Sequence, residues 1–167
     1  YKRQEELISA AVALNKGEDS TGNSLNQAPD FNVGAVVNPG ASDLDNELAR
    51  FEKKIDSGAR YFQTQAIFDP SAFEGFMTRV ARFNVPIIAG ILPVKSARMA
   101  QHMNNNVPGI AVPAEVITAI DAAEDVKAVS SEITAEIVRD IKPMCQGIHI
   151  MAIGWEALIP GILEQTA

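Results

Sequence analysis

The stretch Gly58-Ala-Arg-Tyr-Phe-Gln-Thr-Gln65-Ala-Ile-Phe-Asp69 decides the fold of this chain, together with Pro86-Ile-Ile-Ala-Gly90-Ile-Leu-Pro93 about one βα unit later. Each stretch is typical of a short apolar strand that ends in polar or turn residues. Helical patterns separate these strands, and strands that alternate with helices form a parallel sheet. In a parallel α/β barrel the carboxyl ends of the strands hold ligands, so a binding site is expected at these ends.

The whole chain predicts the element order α-β-α-β-α-β-α-α-α-β-α. The predicted strands cover 31–37, 61–66, 86–91 and 148–153. The predicted helices cover 3–15, 42–57, 69–83, 95–105, 112–123, 125–142 and 156–164. Ser42 is the predicted N-cap of the second helix, and Gly58 is the residue expected to end it.

Four βα units preceded by a helix indicate an α/β fold, namely the second half of a (β/α)8 TIM barrel with four parallel strands and covering helices. A complete barrel usually takes ~250 residues, whereas this chain has 167. Residues 1–167 are therefore predicted to form a single partial domain. A flavodoxin-like open sheet is the competing architecture, but it normally begins with a strand.

The composition argues against several kinds of partner. The net charge is -7 and there is no block of Lys or Arg, which argues against nucleic acid and anionic membranes. Cys145 is the only cysteine, so a disulfide framework and a cysteine metal site are excluded, and a reducing cytoplasm is the expected location. No apolar run approaches ~18 residues, and the N-terminus lacks the apolar core of a signal peptide.

Two glutamines in the second predicted strand are candidates for ligand binding. Gln63 and Gln65 share one face because strand side chains alternate, and barrel interiors are mostly filled by branched apolar residues. An amide offers both a donor and an acceptor, so Gln65 suits a polar heterocycle held in the barrel mouth. The alternative is that both amides face a helix and cap backbone groups.

Charged residues on the second predicted helix have two interpretations. Lys54 lies beside Lys53 and follows Glu47 and Arg50. Such a charge run is usually a solvated face with a contact from Glu to a Lys or Arg four residues later. Alternatively, one lysine reaches a phosphate or pyrophosphate at the barrel rim.

Other side chains of interest follow predicted strand ends. Asn38 belongs to a turn signal after the first strand. Met99 and Met103 share a helical face, where they either pack in the core or cover a flat ligand. Trp155, after the last strand, is either a stacking surface or a packing anchor. No metal site is predicted.

Four strings are collinear with one known family: Gly34-Ala-Val-Val-Asn-Pro-Gly40, Phe62-Gln-Thr-Gln65, Ala89-Gly-Ile-Leu-Pro-Val-Lys-Ser-Ala-Arg-Met99, and Gly147-Ile-His-Ile-Met151 with Gly154-Trp-Glu156. Together they resemble the methylenetetrahydrofolate reductase family, and most closely the bacterial branch often fused behind a homocysteine S-methyltransferase domain. The resemblance implies a flavin-containing (β/α)8 barrel of one-carbon metabolism and methionine biosynthesis. Such an enzyme passes a hydride from NAD(P)H to FAD, and then from FAD to 5,10-methylenetetrahydrofolate, which becomes 5-methyltetrahydrofolate.

The resemblance also implies roles for seven residues. The implied cofactor-binding residues are Asn38, Glu47 and Lys54. The implied substrate-binding residues are Gln65, Met99, Met103 and Trp155. Met103 stands where better-known members carry an aromatic residue, and Met99 and Trp155 stand where some relatives carry Gln and Arg. The general acid is implied to lie upstream of Tyr1, so no catalytic residue is assigned in this chain.

The favoured function is therefore part of a flavin-dependent reductase that acts on a folate substrate. The complete enzyme is expected to be a homo-oligomer, and residues 1–167 are expected to be inactive alone. One alternative is a non-catalytic interaction module that pairs with a separate N-terminal half. The other is an unrelated pterin- or corrinoid-binding barrel that uses the same amide at a strand end.

Overall fold

The computed structural model describes residues 2–166, which form a sheet of four parallel strands. The strands are β1 (Gly34–Val37), β2 (Tyr61–Ala66), β3 (Ile87–Ile91) and β4 (Gly147–Ile150). They lie side by side in chain order, β1-β2-β3-β4. The predicted α/β architecture with four parallel strands is confirmed.

Helices connect the strands in the predicted order. They are α1 (Lys2–Asn15), α2 (Leu44–Asp56), α3 (Pro70–Val80), α4 (Ala97–Asn106), α5 (Ala114–Asp121), α6 (Val126–Ile141) and α7 (Ile159–Glu164). Short 3₁₀ turns follow α3 at Ala81–Phe83 and α6 at Lys142–Met144, and another precedes α7 at Glu156–Leu158. The chain therefore passes through three helices between β3 and β4.

Two strand boundaries lie three residues away from their predicted positions. β1 begins at Gly34 rather than at residue 31, because the backbone N–H and carbonyl of Phe31 both bond to the Asn15 side chain of α1 at 2.8 Å. β4 ends at Ile150 rather than at residue 153, because Ile153 and Gly154 have φ angles of 48° and 87°, which an extended strand does not contain. The chain therefore leaves β4 early, at the end of the sheet where ligands are expected.

The two ends of α2 differ in how well they were predicted. Asp43, not Ser42, is the N-cap, because its carboxylate accepts a hydrogen bond from the Asn46 N–H at 3.0 Å. Gly58 follows the helix with a φ of 107°, and its N–H donates to the Ile55 carbonyl at 2.8 Å. Gly58 thus ends α2 as predicted, in a conformation that favours glycine.

The hydrophobic core lies between the sheet and the helices. Phe62 of β2 is fully buried against Phe51 of α2, with ring centroids 4.0 Å apart. Phe76 of α3 and Phe83 extend this aromatic cluster through edge contacts with Phe51, at 6.5 and 5.3 Å between centroids. Burial of each such ring stabilises the fold by roughly 1.5–3 kcal/mol, so apolar packing holds the helices to the sheet.

The other face of the sheet is open. Phe62 and Thr64 of β2 are buried on the helix side, whereas Gln63 and Gln65 point the opposite way, and Gln65 is exposed. Val36 of β1 lies beside Gln63 in the sheet register and is 55% exposed. This face therefore presents amide and apolar side chains next to each other.

An extra residue in β2 sets the direction of Gln65. The register between β2 and β3 shifts between Gln63 and Ala66, which is the signature of a β-bulge, and such a bulge re-aims nearby side chains. The buried Thr64 hydroxyl holds the bulge in place. It accepts a hydrogen bond from the Gly90 N–H at 2.9 Å and donates to the Gln65 carbonyl at 2.7 Å.

A methyl group at position 90 should disrupt this bulge. An alanine Cβ at Gly90 would lie 2.5 Å from the Thr64 carbonyl oxygen, a backbone atom that cannot swing aside. We expect Gly90→Ala to lower the free energy of unfolding by ~1–3 kcal/mol, measured by urea denaturation. Gly75→Ala is the control, because Gly75 lies within α3 with open space around it, and it should raise that free energy by ~0.5–1 kcal/mol. Equal effects of the two substitutions would contradict this account.

The open face is expected to bind a second copy of the chain. Exposed apolar groups on a sheet face and unpaired strand edges favour self-association. Protein consisting of residues 1–167 should therefore show a mass above that of the monomer in light scattering, increasing with concentration. Val36→Lys should shift the protein toward monomer, whereas Leu163→Lys, at an exposed position on α7, should not. A monomer at every concentration would show that the open face does not associate.

Candidate functional site

A cavity of about 360 Å³ lies at the carboxyl ends of β1 and β2. Its lining includes four of the seven residues with predicted roles: Asn38, Glu47, Lys54 and Gln65. Asn38 follows β1, Glu47 and Lys54 lie on α2, and Gln65 belongs to β2. Three neighbouring elements therefore bring these side chains together.

Gln65 lines the cavity from the open face of the sheet. Its side chain is exposed, whereas Thr64 and Ala66 on either side of it are buried against the helices. The alternative that this amide faces a covering helix is therefore wrong. Among the residues that the structure describes, none bonds to the Gln65 amide, so its donor and its acceptor are both available to a ligand.

Lys54 is a buried cation in the cavity. Only 5% of the residue is exposed, and its Nζ donates a hydrogen bond to the Val36 carbonyl at 2.7 Å. The interpretation of Lys54 as part of a solvated face is wrong, although the neighbouring Lys53 is exposed as that interpretation requires. Burial lowers the pKa of the Lys54 ammonium, and the nearby Glu47 carboxylate opposes this shift.

Glu47 is also buried, and it lies on the same face of α2 as Lys54, about two turns earlier in the helix. Its Oε1 accepts a hydrogen bond from the Asn38 N–H at 3.1 Å. Its Oε2 lies 3.6 Å from Arg50 Nη1, one turn further along α2. The carboxylate is thus held between the backbone N–H of the residue that follows β1 and a guanidinium of its own helix.

Glu47 and Lys54 together cap the outer edge of β1. The Val33 carbonyl points toward β2, where it accepts a hydrogen bond from the backbone of residue 60, and backbone groups alternate in direction along a strand. The Val36 carbonyl and the Asn38 N–H therefore point away from β2, and these are the two groups that Lys54 and Glu47 bond. Glu47 and Lys54 are seven residues apart, so the sequence alone indicates that their side chains share one face of α2. No local pattern in the sequence indicates that this face lies against the outer edge of β1.

The Asn38 side chain joins the end of β1 to a distant loop. Its Oδ1 accepts a hydrogen bond from the Gly40 N–H at 3.1 Å, and its Nδ2 donates to the Pro108 carbonyl at 3.2 Å. Gly109 has a φ of 79°, and a Cβ there would lie 2.0 Å from Asn38 Nδ2. The loop after α4 is therefore held against the rim of the cavity, which Pro108 and Gly109 help to line.

Met99 and Met103 lie on α4, outside the lining of this cavity. Met103 is 6% exposed and belongs to the core, and Met99 is partly buried against that core. Both positions fit the core-packing interpretation, and Met103 offers little surface to a ligand in this arrangement. Substrate contact by these side chains stays a prediction.

Trp155 follows β4 and is also outside the cavity lining. The centroid of its ring lies 5.6 Å from Lys95 Nζ and 6.0 Å from Lys127 Nζ, which are cation–π distances. Sequence reasoning missed both lysines, because they belong to the β3–α4 loop and the start of α6, which only the fold brings to Trp155. Substrate contact by Trp155 stays a prediction.

No group of three or more His, Cys, Asp and Glu side chains in residues 2–166 is arranged to hold a metal ion. No helix in the same range has both the length and the apolar character that crossing a bilayer requires.

The fold and the cavity define a class of protein, a parallel α/β domain with a polar cavity at the carboxyl ends of its strands. Residues 25–167 match the family model described as methylenetetrahydrofolate reductase. The chain belongs to the methylenetetrahydrofolate reductase family.

Curated relatives carry the same description. The 5,10-methylenetetrahydrofolate reductase of Escherichia coli (strain K12) is 28% identical over 123 residues, which cover 70% of this chain and 41% of that protein. Methylenetetrahydrofolate reductase 2 of Schizosaccharomyces pombe is 25% identical over 152 residues, which cover 83% of this chain and 24% of that protein. The chain therefore spans less than half the length of either relative.

A solved structure has a similar fold. It is described as an uncharacterized protein from Clostridium thermocellum that binds two copies of 5-methyl-5,6,7,8-tetrahydrofolic acid. The two proteins are 25% identical with a TM-score of 0.55, and the similarity covers 85% of this chain and 54% of that one.

We expect the stability of the protein to depend on pH through Lys54. Burial lowers the pKa of this ammonium in the folded state, so the unfolded chain, with the ordinary value of 10.5, binds the proton more strongly. The free energy of unfolding should therefore rise as the pH passes through the folded-state pKa toward 10.5. Lys54→Met should remove this rise, as measured by urea denaturation over a series of alkaline pH values.

Lys53→Met provides the matched control, because Lys53 is the adjacent residue of α2 and is exposed. This variant should keep the pH profile of the original protein. If Lys54→Met and Lys53→Met had the same profile, the buried ammonium would not be the source of the dependence.

Proposed function

We propose that this chain is part of a flavin-dependent oxidoreductase that reduces 5,10-methylenetetrahydrofolate to 5-methyltetrahydrofolate, with NAD(P)H as the hydride donor. Membership of the reductase family supports the reaction. The observation that carries the proposal is the Gln65 amide, which stands at a strand end on the open face with its donor and acceptor both available.

A folate is the proposed ligand of Gln65. A pterin ring presents donors and acceptors along one edge, and a single amide can meet one of each. Val36 lies on the same face and offers apolar surface to a flat ring. The Clostridium thermocellum protein is described as binding 5-methyl-5,6,7,8-tetrahydrofolic acid, which supports this class of ligand.

FAD is the proposed cofactor, and the residues beside Gln65 fit a place next to it. The Lys54 ammonium has three N–H donors, of which the Val36 carbonyl takes one, so two remain for phosphate oxygens. Glu47 would keep the strand edge in position, and Asn38 would keep the rim loop in position. Bound FAD would carry the hydride between the nicotinamide and the folate.

Other parts of the proposal concern the complete protein. Residues 1–167 would form one partial domain, the second half of a (β/α)8 barrel, whose open face would become part of the interior. The general acid that protonates the folate would come from the other half, so residues 1–167 alone should be inactive. We further propose a cytoplasmic homo-oligomer, in which a homocysteine S-methyltransferase domain is fused to the reductase.

Gln65→Ala in the complete protein should separate the two half-reactions. Loss of the amide contact should lower the rate of folate reduction by about tenfold or more. Reduction of the flavin by NAD(P)H should keep its rate, because the nicotinamide does not use the pterin contact. Stopped-flow absorbance of the bound flavin measures each half-reaction independently.

Gln63→Ala is the matched control for this experiment. Gln63 lies in the same strand and on the same face, but it does not line the cavity. It should leave both half-reactions nearly unchanged. Equal loss in both half-reactions of Gln65→Ala, or the same loss from either glutamine, would contradict the proposed role.

A further inference from the structure

The side chain of Asn104, near the end of α4, pairs with the backbone of Val112. Asn104 Oδ1 accepts a hydrogen bond from the Val112 N–H at 2.7 Å, and Asn104 Nδ2 donates one to the Val112 carbonyl at 3.0 Å. Val112 is 4% exposed, and no other group in residues 2–166 bonds to its N–H or its carbonyl. Buried backbone groups are costly to leave without partners, so Val112 depends on this one amide.

These two hydrogen bonds close the segment that joins α4 to α5, residues 107–113, which we call the α4–α5 loop. Because Asn104 lies just before the loop and Val112 lies near its end, the pair ties the two ends together. The tip of the loop, at Pro108 and Gly109, lines the cavity at the carboxyl ends of β1 and β2. The bonds of Asn104 therefore act on a wall of that cavity, although Asn104 does not line it.

The tip of the α4–α5 loop meets the β1–α2 loop backbone to backbone. A Cβ at Gly40 would lie 2.2 Å from the Gly109 carbonyl oxygen, so this contact requires a residue without a side chain. Next to this contact is a second cavity of about 110 Å³, which Gly40, Gly109 and Ala111 line together with apolar side chains from the end of β2 onward. Because there is open space beside the tip, packing alone does not fix its position, and hydrogen bonds must do so.

The hydrogen bonds that hold the loop differ in strength. The bond from Asn38 Nδ2 to the Pro108 carbonyl is 3.2 Å long and exposed, so water competes for both groups. The bonds between Asn104 and Val112 are shorter and partly buried. Asn104 is therefore the stronger of the two attachments, and the position of the tip depends on it more than on Asn38.

We propose that Asn104 is a positioning residue for the proposed FAD. By closing the α4–α5 loop, it holds Pro108 and Gly109 against the cavity, and this wall slows the release of the bound cofactor. The inference rests on the proposed function, since it takes FAD as the occupant of the cavity that contains Lys54. Asn104 lies outside the lining of that cavity, so it acts through the loop.

The rate of FAD release from the complete protein tests the proposal. Asn104→Ala removes both hydrogen bonds to Val112, so the rate should rise about tenfold, as measured by the fluorescence of the freed flavin after dilution. Asn104→Asp keeps the size of the side chain but replaces the donor with a second oxygen that faces the Val112 carbonyl, so its rate should rise as well. Asn105→Ala is the matched control, because Asn105 is the adjacent, exposed residue of α4, and it should release FAD at the original rate.

Two further measurements distinguish positioning from a general loss of stability. Hydrogen–deuterium exchange at Val112 should be faster in Asn104→Ala than in Asn105→Ala, because the Val112 N–H loses its acceptor. Val80→Ala should lower the free energy of unfolding in urea without changing the rate of FAD release. Val80 is 3% exposed and ends α3 on the way to the amino end of β3, whereas the cavity lies at the carboxyl ends of β1 and β2.

The outcomes separate this inference from the proposed function. If the original protein retained FAD and both Asn104 variants released it at the rate of Asn105→Ala, Asn104 would not be a positioning residue, although the proposed function would stand. Equally fast release from Val80→Ala and Asn104→Ala would also overturn the inference, because loss of stability would then explain both. If the original protein bound no FAD, the proposed function would itself fail in its cofactor, and this inference would fail with it.

Discussion

The hydroxyl of Thr64 accepts a hydrogen bond from the Gly90 N–H and donates one to the Gln65 carbonyl, and the direction of the exposed amide depends on these two bonds. A buried hydroxyl must find partners, since leaving it without them is costly. Here the partners are the backbone atoms that fix the bulge in β2 and align β2 with β3. The outward position of Gln65 is therefore determined from within the buried layer.

One face of helix α2 packs in the hydrophobic core, and the adjacent face lines the cavity. Phe51 packs in the aromatic cluster, while Glu47 and Lys54 reach the outer edge of β1 and bond to its backbone. Opposite charges buried near each other, each with a hydrogen-bond partner, offset part of the cost of their desolvation. The strand edge and the proposed cofactor phosphate would thus share one ammonium group, which links the stability of β1 to the occupancy of the cavity.

The sequence was informative wherever local pattern decides the structure. The alternation of strand side chains indicated that Gln65 points away from the buried face of the sheet. The conformational preference of glycine indicated that α2 ends at Gly58. Contacts between distant segments were not predictable, because no local pattern encodes them. The burial of Lys54 follows from the position of α2 against β1, and the contact of Asn38 with Pro108 follows from the path of the loop after α4. Four of the residues named from the family resemblance share one cavity, but the lysines around the indole had no signal in the sequence.

The strands lie in the sheet in the same order as in the chain. Each new strand therefore adds to an edge that already exists, and none has to insert between two earlier strands. The first three strands can pair one after another as the polypeptide leaves the ribosome, because the β1–β2 and β2–β3 pairings each close a short length of chain, whereas the β3–β4 pairing must close the three helices between those strands. The hydrogen bond between Asn38 and Pro108 is different, since it spans 70 residues. It can form only after the third strand and its helix have been synthesised, so the rim of the cavity is completed later than the first two strands that support it.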